Sequence, residues 1–313
     1  MQTTTLPSPA HVAAQFERDG FVHIPGVVGT AELDALRRDT AHLIETAWDA
    51  EKKQLRLGVD SQDYFVDPLP ETGEMVFNRV QYPFDKAPEN SLLALLGHPY
   101  LLALGRELLG PDFVCAAEAL VFKMPGNGRE VPMHADCDPW DVRFAPLVFN
   151  MDVYLDDSSP ENGCLWVEPG THKTVGAMSH ERVFRGLDFD GMIAVPARAG
   201  DLILHNVRLI HGSPRSNGGK LRRTLYYEFQ SMSELVRQGG PRPGHAPTDE
   251  FLRDRFRLLP GAIHERQTKD YAAGETPFDY EIPTEWAQKL GIETPAPGEP
   301  VNLRPALGYS KYI

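Results

Sequence analysis

The period of apolar and polar positions changes part-way along the chain. In PAHVAAQFERDG, Val12 and Phe16 fall at helical spacing and the run stops at Gly20. FVHIPGVV then reads as a short β-rich run ended by Gly29. Thr30 is the expected N-cap of TAELDALRRDTAHLIETAWDAEKK, in which Leu33, Leu36, Leu43 and Ile44 make an apolar stripe. Residues 54–74 are polar, with Pro and Gly, and read as loop; MVFNRVQYPF (75–84) alternates like a strand, and NSLLALLGHPYLLALGRELLG returns to helix.

From residue 111 the pattern is different. Short β-type runs recur between turn signals: DFVCAAEALVFKM, EVPMHAD, LVFNMDVYLDD, GCLWVEPG, MIAVPA, GDLILHNVRLIH and RRTLYYEFQSM. Many short strands punctuated by Gly, Pro and Asn predict an antiparallel sandwich or barrel rather than βαβ units. A Pro/Gly break at 238–248 precedes an irregular tail with a few short helical candidates. The simplest organisation is one domain over 1–313. It has a mainly helical N-terminal cover (1–110), a β-barrel core (111–235) and a C-terminal extension (236–313).

Composition narrows the function classes. A formal net charge of −13 argues against a nucleic-acid partner, because phosphate binding needs a concentrated basic footprint. Three scattered cysteines (Cys115, Cys137, Cys164) give neither a disulfide framework nor a zinc knuckle. MQTTTLPSPA has no basic region followed by an apolar run, which predicts no signal peptide, and no apolar run reaches the length of a membrane helix. The expectation is a cytoplasmic protein acting on a small molecule, with no nucleic-acid or membrane partner.

The chemistry concentrates around VPMHADCDPWD (131–141). Residues two apart on a strand share a face, so His134 and Asp136 project together. Alone, the pair reads more readily as a surface turn in which Asp136 caps a backbone amide. A third ligand must come from another strand; His211 in NVRLIHGSPRSNGGKLRRTLYYEF is the best candidate, with His205 as a competitor. Two imidazoles and one carboxylate form a facial triad with open positions, the pattern of non-haem Fe(II) oxygenases. Arg222 follows on the return strand and suits a dicarboxylate co-substrate, since guanidinium binds carboxylate bidentately. Arg222 and Arg223 face opposite ways, so only one enters the barrel. Asn150 and Asp152 share one face of LVFNMDVYLDD, where either can supply a polar pocket group for substrate. Asp138 and Asp141 read as solvated turn residues.

Taken together, these segments resemble the phytanoyl-CoA dioxygenase family of Fe(II)/2-oxoglutarate oxygenases. The likeness runs from FERDGFVHIPGVV through the HxD pair, LDDSSPENGCLWVEPGTHK (155–173) and AGDLILHNVRLIHGSPRSN to YYEF. It implies a double-stranded β-helix (jelly roll, cupin-like) and Fe(II), 2-oxoglutarate and O2 as cofactor and co-substrates. It also implies His134, Asp136 and His211 as catalytic iron ligands, and Arg222 as the anchor of the distal carboxylate of 2-oxoglutarate. Ser213, Thr171 and Arg79 match positions that contact the co-substrate in relatives. Trp140 matches an aromatic that lines the substrate pocket in ectoine hydroxylase. Related halogenases carry a small residue at the aspartate position; Asp136 is present, so the resemblance implies hydroxylation or another oxidation. Loops 54–74 and 174–191 and the C-terminal extension are the candidate lid segments. A cupin-like metal isomerase or hydrolase, or a non-catalytic binding member of the fold, is the alternative.

Overall fold

The structure is a computed structural model and describes residues 5–59, 62–126, 128–138, 140, 148–216, 218–237 and 247–303. Its strands are β1 (Phe21–Ile24), β2 (Trp48–Asp49), β3 (Gln54–Leu55), β4 (Tyr64–Pro68), β5 (Met75–Gln81), β6 (Phe113–Lys123), β7 (Val131–His134), β8 (Val148–Tyr154), β9 (Leu165–Val167), β10 (Ile193–Val195), β11 (Leu202–Asn206), β12 (His211–Ser213) and β13 (Arg222–Ser231). The helices are α1 (Pro9–Asp19), α2 (Thr30–Ala47), α3 (Ser91–Leu96), α4 (Pro99–Leu109), α5 (Thr171–Thr174), α6 (His180–Val183), α7 (Met232–Arg237), α8 (Asp249–Gln267) and α9 (Thr284–Leu290).

A seven-stranded antiparallel sheet runs β1-β11-β8-β13-β6-β5-β4, and a four-stranded one runs β10-β9-β12-β7. Tyr154 and Ile203 of the large sheet pack against Leu165, Val167 and Val195 of the small one, which closes one end of the jelly roll. The outer face of the large sheet carries Phe122, Phe149, Val153, Leu225, Tyr227 and Phe229. It is covered by apolar residues of α1 to α4 and α8 in one continuous core. This is the mainly β fold with helical cover that the alternation predicts.

Four local expectations need correction. Helix α2 starts at Thr30 itself, with Gly29 as a cap that offers no side chain. Residues 54–74 are not all loop. Tyr64–Pro68 pairs with β5, Phe65 opposite Arg79, and so extends the large sheet by an edge hairpin. The C-terminal extension is not irregular: α8 is a 19-residue helix through Pro260, burying Phe251, Leu252, Phe256, Leu259 and Ile263. Burial against α3 and β6 outweighs the backbone hydrogen bond that the proline removes. The buried pair Arg255–Glu118 (2.8 Å) ties α8 to β6 and the Arg266–Glu32 pair (2.6 Å) ties it to α2, so this helix is no lid.

The last correction concerns GDLILHNVRLIH, which is not one strand. The chain leaves the large sheet after Asn206 and enters the small one at His211. The crossing is pinned: Val207 N–H donates to the Val148 carbonyl, and the Val207 carbonyl accepts from Asp136 N–H at 2.8 Å.

Candidate metal centre and its cavity

Neighbouring strands of the small sheet put His211 directly opposite His134, ring centroids 4.3 Å apart. The imidazole Nδ1 of His134 lies 2.8 Å from the Pro132 carbonyl, and that of His211 lies 2.9 Å from the Leu209 carbonyl. A carbonyl only accepts, so each Nδ1 carries the proton and each Nε2 presents a lone pair. Both Nε2 atoms turn toward Asp136 Oδ1, at 3.2 Å from His134 and 3.6 Å from His211. One ligand atom from each of the three residues falls within 4.8 Å of the others. Two imidazoles and a carboxylate with this spacing fit Fe(II) well. Burial pushes His211 down to about 3, which keeps its ring neutral as a metal ligand must be.

The other oxygen of Asp136 is held from the large sheet. Asn150 donates its amide N–H to Oδ2 at 2.9 Å, and His205 Nε2 lies 3.1 Å from the same oxygen. The second ring nitrogen of His205 bonds Asp152 Oδ2 at 2.9 Å. With both nitrogens on carboxylates, His205 has no lone pair to offer a metal. Burial opposes its charge, yet Asp152 and Asp136 carry its pKa up to about 10. The result is a buried imidazolium clamped between two carboxylates. Burial likewise opposes the charge of Asp136, but its histidine neighbours, the His205 imidazolium on Oδ2 among them, hold its carboxyl well below the usual range.

A cavity of about 350 Å³ opens beside this cluster and is lined by Arg222 as well. Arg222 is 3% exposed and donates to the Gly163 carbonyl, while its Nε has no partner among the described residues. Arg223 points the other way, to Asp156 at 2.8 Å, so Arg222 is the inward one. Tyr154, Leu165, Ser213 and Tyr226 form walls near Arg222. Asp67, Asn78, Arg79, Arg129 and Glu130 make a polar wall from the hairpin side.

A family model described as phytanoyl-CoA dioxygenase matches residues 16–224, about two thirds of the chain. The chain belongs to the phytanoyl-CoA dioxygenase family. This makes it a non-haem Fe(II)- and 2-oxoglutarate-dependent dioxygenase. AviO1 from Streptomyces viridochromogenes is 32% identical over 74% of this chain and 98% of its own, with a TM-score of 0.60. Ectoine dioxygenase from Sphingopyxis alaskensis is 24% identical over 247 residues, covering 69% of this chain and 76% of the relative. Its iron-bound structure superposes with a TM-score of 0.56 over 74% of this chain and 80% of its own, which shows the shared fold.

Within this family member, the structure gathers most of the residues singled out from sequence, but not all. His134, Asp136, His211, Arg222, Ser213, Arg79 and Asn150 line one cavity. Arg79 stacks its guanidinium 4.0 Å over Phe65. Thr171 lies outside: its hydroxyl donates to the Glu168 carbonyl and accepts from Ile210 N–H, which braces the residue before His211. Asp152 is fully buried behind His205 and does not reach the cavity wall. Trp140 is 38% exposed, donates to the Met178 carbonyl and stacks on His180, and it is not among the lining residues. Asp141 lies outside the described residues. Sequence reasoning missed the clamp made by His205 and Asp152, and it missed Lys123, which enters the cavity beside Arg222. Strand pairing was the available signal, because His205 sits opposite Asn150 and Lys123 opposite Arg222.

Proposed function

We propose that His134, Asp136 and His211 bind the iron of this dioxygenase and that Arg222, helped by Ser213 and Arg79, holds 2-oxoglutarate. The reaction is hydroxylation, or a related oxidation, of an unactivated C–H bond in a small secondary metabolite. The observation that carries the reading is the Nε2–Nε2–Oδ1 cluster in a cavity that is also lined by a buried guanidinium with no ion-pair partner among the described residues. When bound, iron and 2-oxoglutarate supply the oxidation with O2, releasing succinate and CO2.

The chain's own contribution is placement. Pro132 and Leu209 carbonyls fix the tautomers of the two histidines, and Asn150 and His205 fix the rotation of Asp136. The buried side chains of Tyr154 and Leu165 line the same cavity as Arg222 and make part of its wall apolar. No side chain is needed as a general base. The polar wall of Asp67, Asn78, Arg129 and Glu130 supports a small hydrogen-bonding substrate, and the acidic chain disfavours a polyphosphate one.

Anaerobic addition of Fe(II) and 2-oxoglutarate should produce a weak visible charge-transfer band, and Asp136→Ala should lose both band and turnover. Succinate should form in step with oxidised product across a panel of small molecules. A metal-loaded, folded protein that shows no band and releases no succinate is the outcome expected of an isomerase, a hydrolase or a mere binder, and it would end this reading.

A further inference from the structure

Strand β13 carries a further ionisable group on its inward face. Residues alternate across a strand, so Arg222, Thr224, Tyr226 and Glu228 share one face, and Arg222 and Tyr226 of that set line the cavity. Register places Glu228 between two more lining residues, Asn150 on β8 and Ala117 on β6. Opposite residues on paired strands have Cα atoms about 5 Å apart. Asn150 is the residue whose amide holds Asp136 Oδ2, so Glu228 stands one strand away from the contact that orients the metal-facing carboxylate. Along β13 it lies well beyond Arg222, by about 20 Å at about 3.4 Å per residue, and is free to meet a different ligand.

This carboxyl opens in one direction only. Strands β8 and β6 occupy both edges of β13, and Leu225, Tyr227 and Phe229 on its outer face are buried under the helical cover. The half-buried Glu228 side chain therefore shows its exposed surface to the interior of the jelly roll. Its Oε1 accepts from the Gln230 amide at 2.5 Å, while Ala117 across on β6 offers only a methyl group. Other acids of the interior have cations: Glu118 has Arg255, Glu32 has Arg266 and Asp152 has His205. Glu228 has none among the described residues, and the charged neighbour that it feels is another carboxylate, Asp136. Burial pushes it up to about 7, against the Gln230 hydrogen bond and with help from Asp136.

We propose that Glu228 is a specificity-determining residue, which takes a hydroxyl group of a neutral alcohol or polyol substrate close to the carbon that is oxidised. This rests on the oxygenase reading and deepens it. A hydroxyl both donates and accepts, so it pairs with a carboxylate and with a carboxylic acid alike, whereas an ammonium pairs only with the carboxylate. An ammonium would also bring a second cation toward the His205 imidazolium, which lies one strand beyond Asn150. Only the Asn150 amide stands between Glu228 and Asp136 in the strand order. The anchored hydroxyl therefore belongs to the same ring or short chain as the reacting carbon.

The test uses three ligands built on one ring: cyclohexanol, cyclohexanone, which only accepts, and cyclohexylammonium, which only donates and is charged. Each is titrated at about pH 8, where the carboxylate form prevails, into the full chain loaded with Fe(II) and 2-oxoglutarate without oxygen. Paramagnetic relaxation of the ring protons reports binding near the metal, and the Zn(II)-loaded chain supplies the diamagnetic baseline. Wild type should favour cyclohexanol over both other rings by about tenfold. Glu228→Gln keeps a donor and an acceptor and should hold cyclohexanol within about threefold, whereas Glu228→Met should weaken it about 10- to 100-fold. The Fe(II)–2-oxoglutarate charge-transfer band should be the same in all three proteins, which shows that the variants fold and keep the co-substrate. Unchanged cyclohexanol binding in Glu228→Met, no preference for cyclohexanol in wild type, or tighter cyclohexylammonium binding that Glu228→Gln abolishes would overturn the assignment. Loss of the band in both variants would also overturn it, because Glu228 would then serve the scaffold or the co-substrate. If wild type itself gives no band, the oxygenase reading has failed; with a normal wild-type band, the other outcomes withdraw Glu228 alone.

Discussion

Replacing His205 by alanine separates a metal ligand from a residue that holds one. The substitution removes an imidazolium that bridges Asp136 at 3.1 Å and Asp152 at 2.9 Å, both carboxylates buried. Breaking a buried charged network by deleting one partner costs about 3–5 kcal/mol. Asp152, whose pKa burial already raises, can take up a proton and bring the loss toward the lower end. At about 2 °C per kcal/mol for a chain of this size, the melting temperature should fall by roughly 6–10 °C. His134, Asp136 Oδ1 and His211 remain, so metal binding should weaken about 10- to 100-fold rather than vanish, the usual effect of losing a residue behind a ligand. His211→Ala should abolish it. The pH dependence has a definite sign. His205 has a folded pKa of about 10, above its ordinary value near 6.5, so its stabilisation is complete below 6.5 and lost as pH rises through 10. Metal-free wild type should lose stability over that window and His205→Ala should show a flatter profile. Differential scanning fluorimetry across pH and anaerobic Fe(II) titration measure both effects. If His205→Ala eliminated metal binding while His211→Ala retained it, or if the variant melted like wild type, the charged-clamp argument would be refuted.

Two further substitutions test the scaffold. Gly163→Ala would place a Cβ 2.5 Å from the Pro214 oxygen at a positive φ, and it would crowd the Lys123 stem. It should weaken 2-oxoglutarate binding at least tenfold while leaving Fe(II) affinity nearly unchanged, as read by separate titrations. Arg255→Met should cost about 3–5 kcal/mol in urea unfolding, because Glu118 then stays buried without its partner at 2.8 Å. Adding Glu118→Gln should recover much of that loss.

The residues show where sequence reasoning has purchase. Alternation located the core strands because one face of each is buried, and period 2 is a strong constraint. The HxD pair and His211 could be singled out because ligand chemistry restricts residue type, and the structure brings the three together. Helix α8 was not: Pro260-Gly261 reads as a break, whereas its apolar stripe is rescued by tertiary packing that local propensity does not contain. Strand β4 was hidden in a polar stretch because edge hairpins bury little. The family resemblance preferred His211 to His205, and the change of sheet between them gives a physical reason for that preference. Lys123 looked like the polar end of an apolar strand, and only its pairing with Arg222 gives it a place in the cavity.

The pinned crossing at 207–210 gives the centre a particular intolerance to length. His205 and His211 serve the same carboxylate from opposite walls, one through Oδ2 and one through Oδ1, with four residues between the strands that carry them. Many surface loops absorb an inserted residue at little cost. Here a single insertion would shift the register of β12 and turn His211 toward the other face of its sheet, while leaving the clamp on Asp136 intact. The chain would still fold, and it would present two ligands where three are required. Indels in this segment should therefore separate folding from iron binding more cleanly than any point substitution in the cavity.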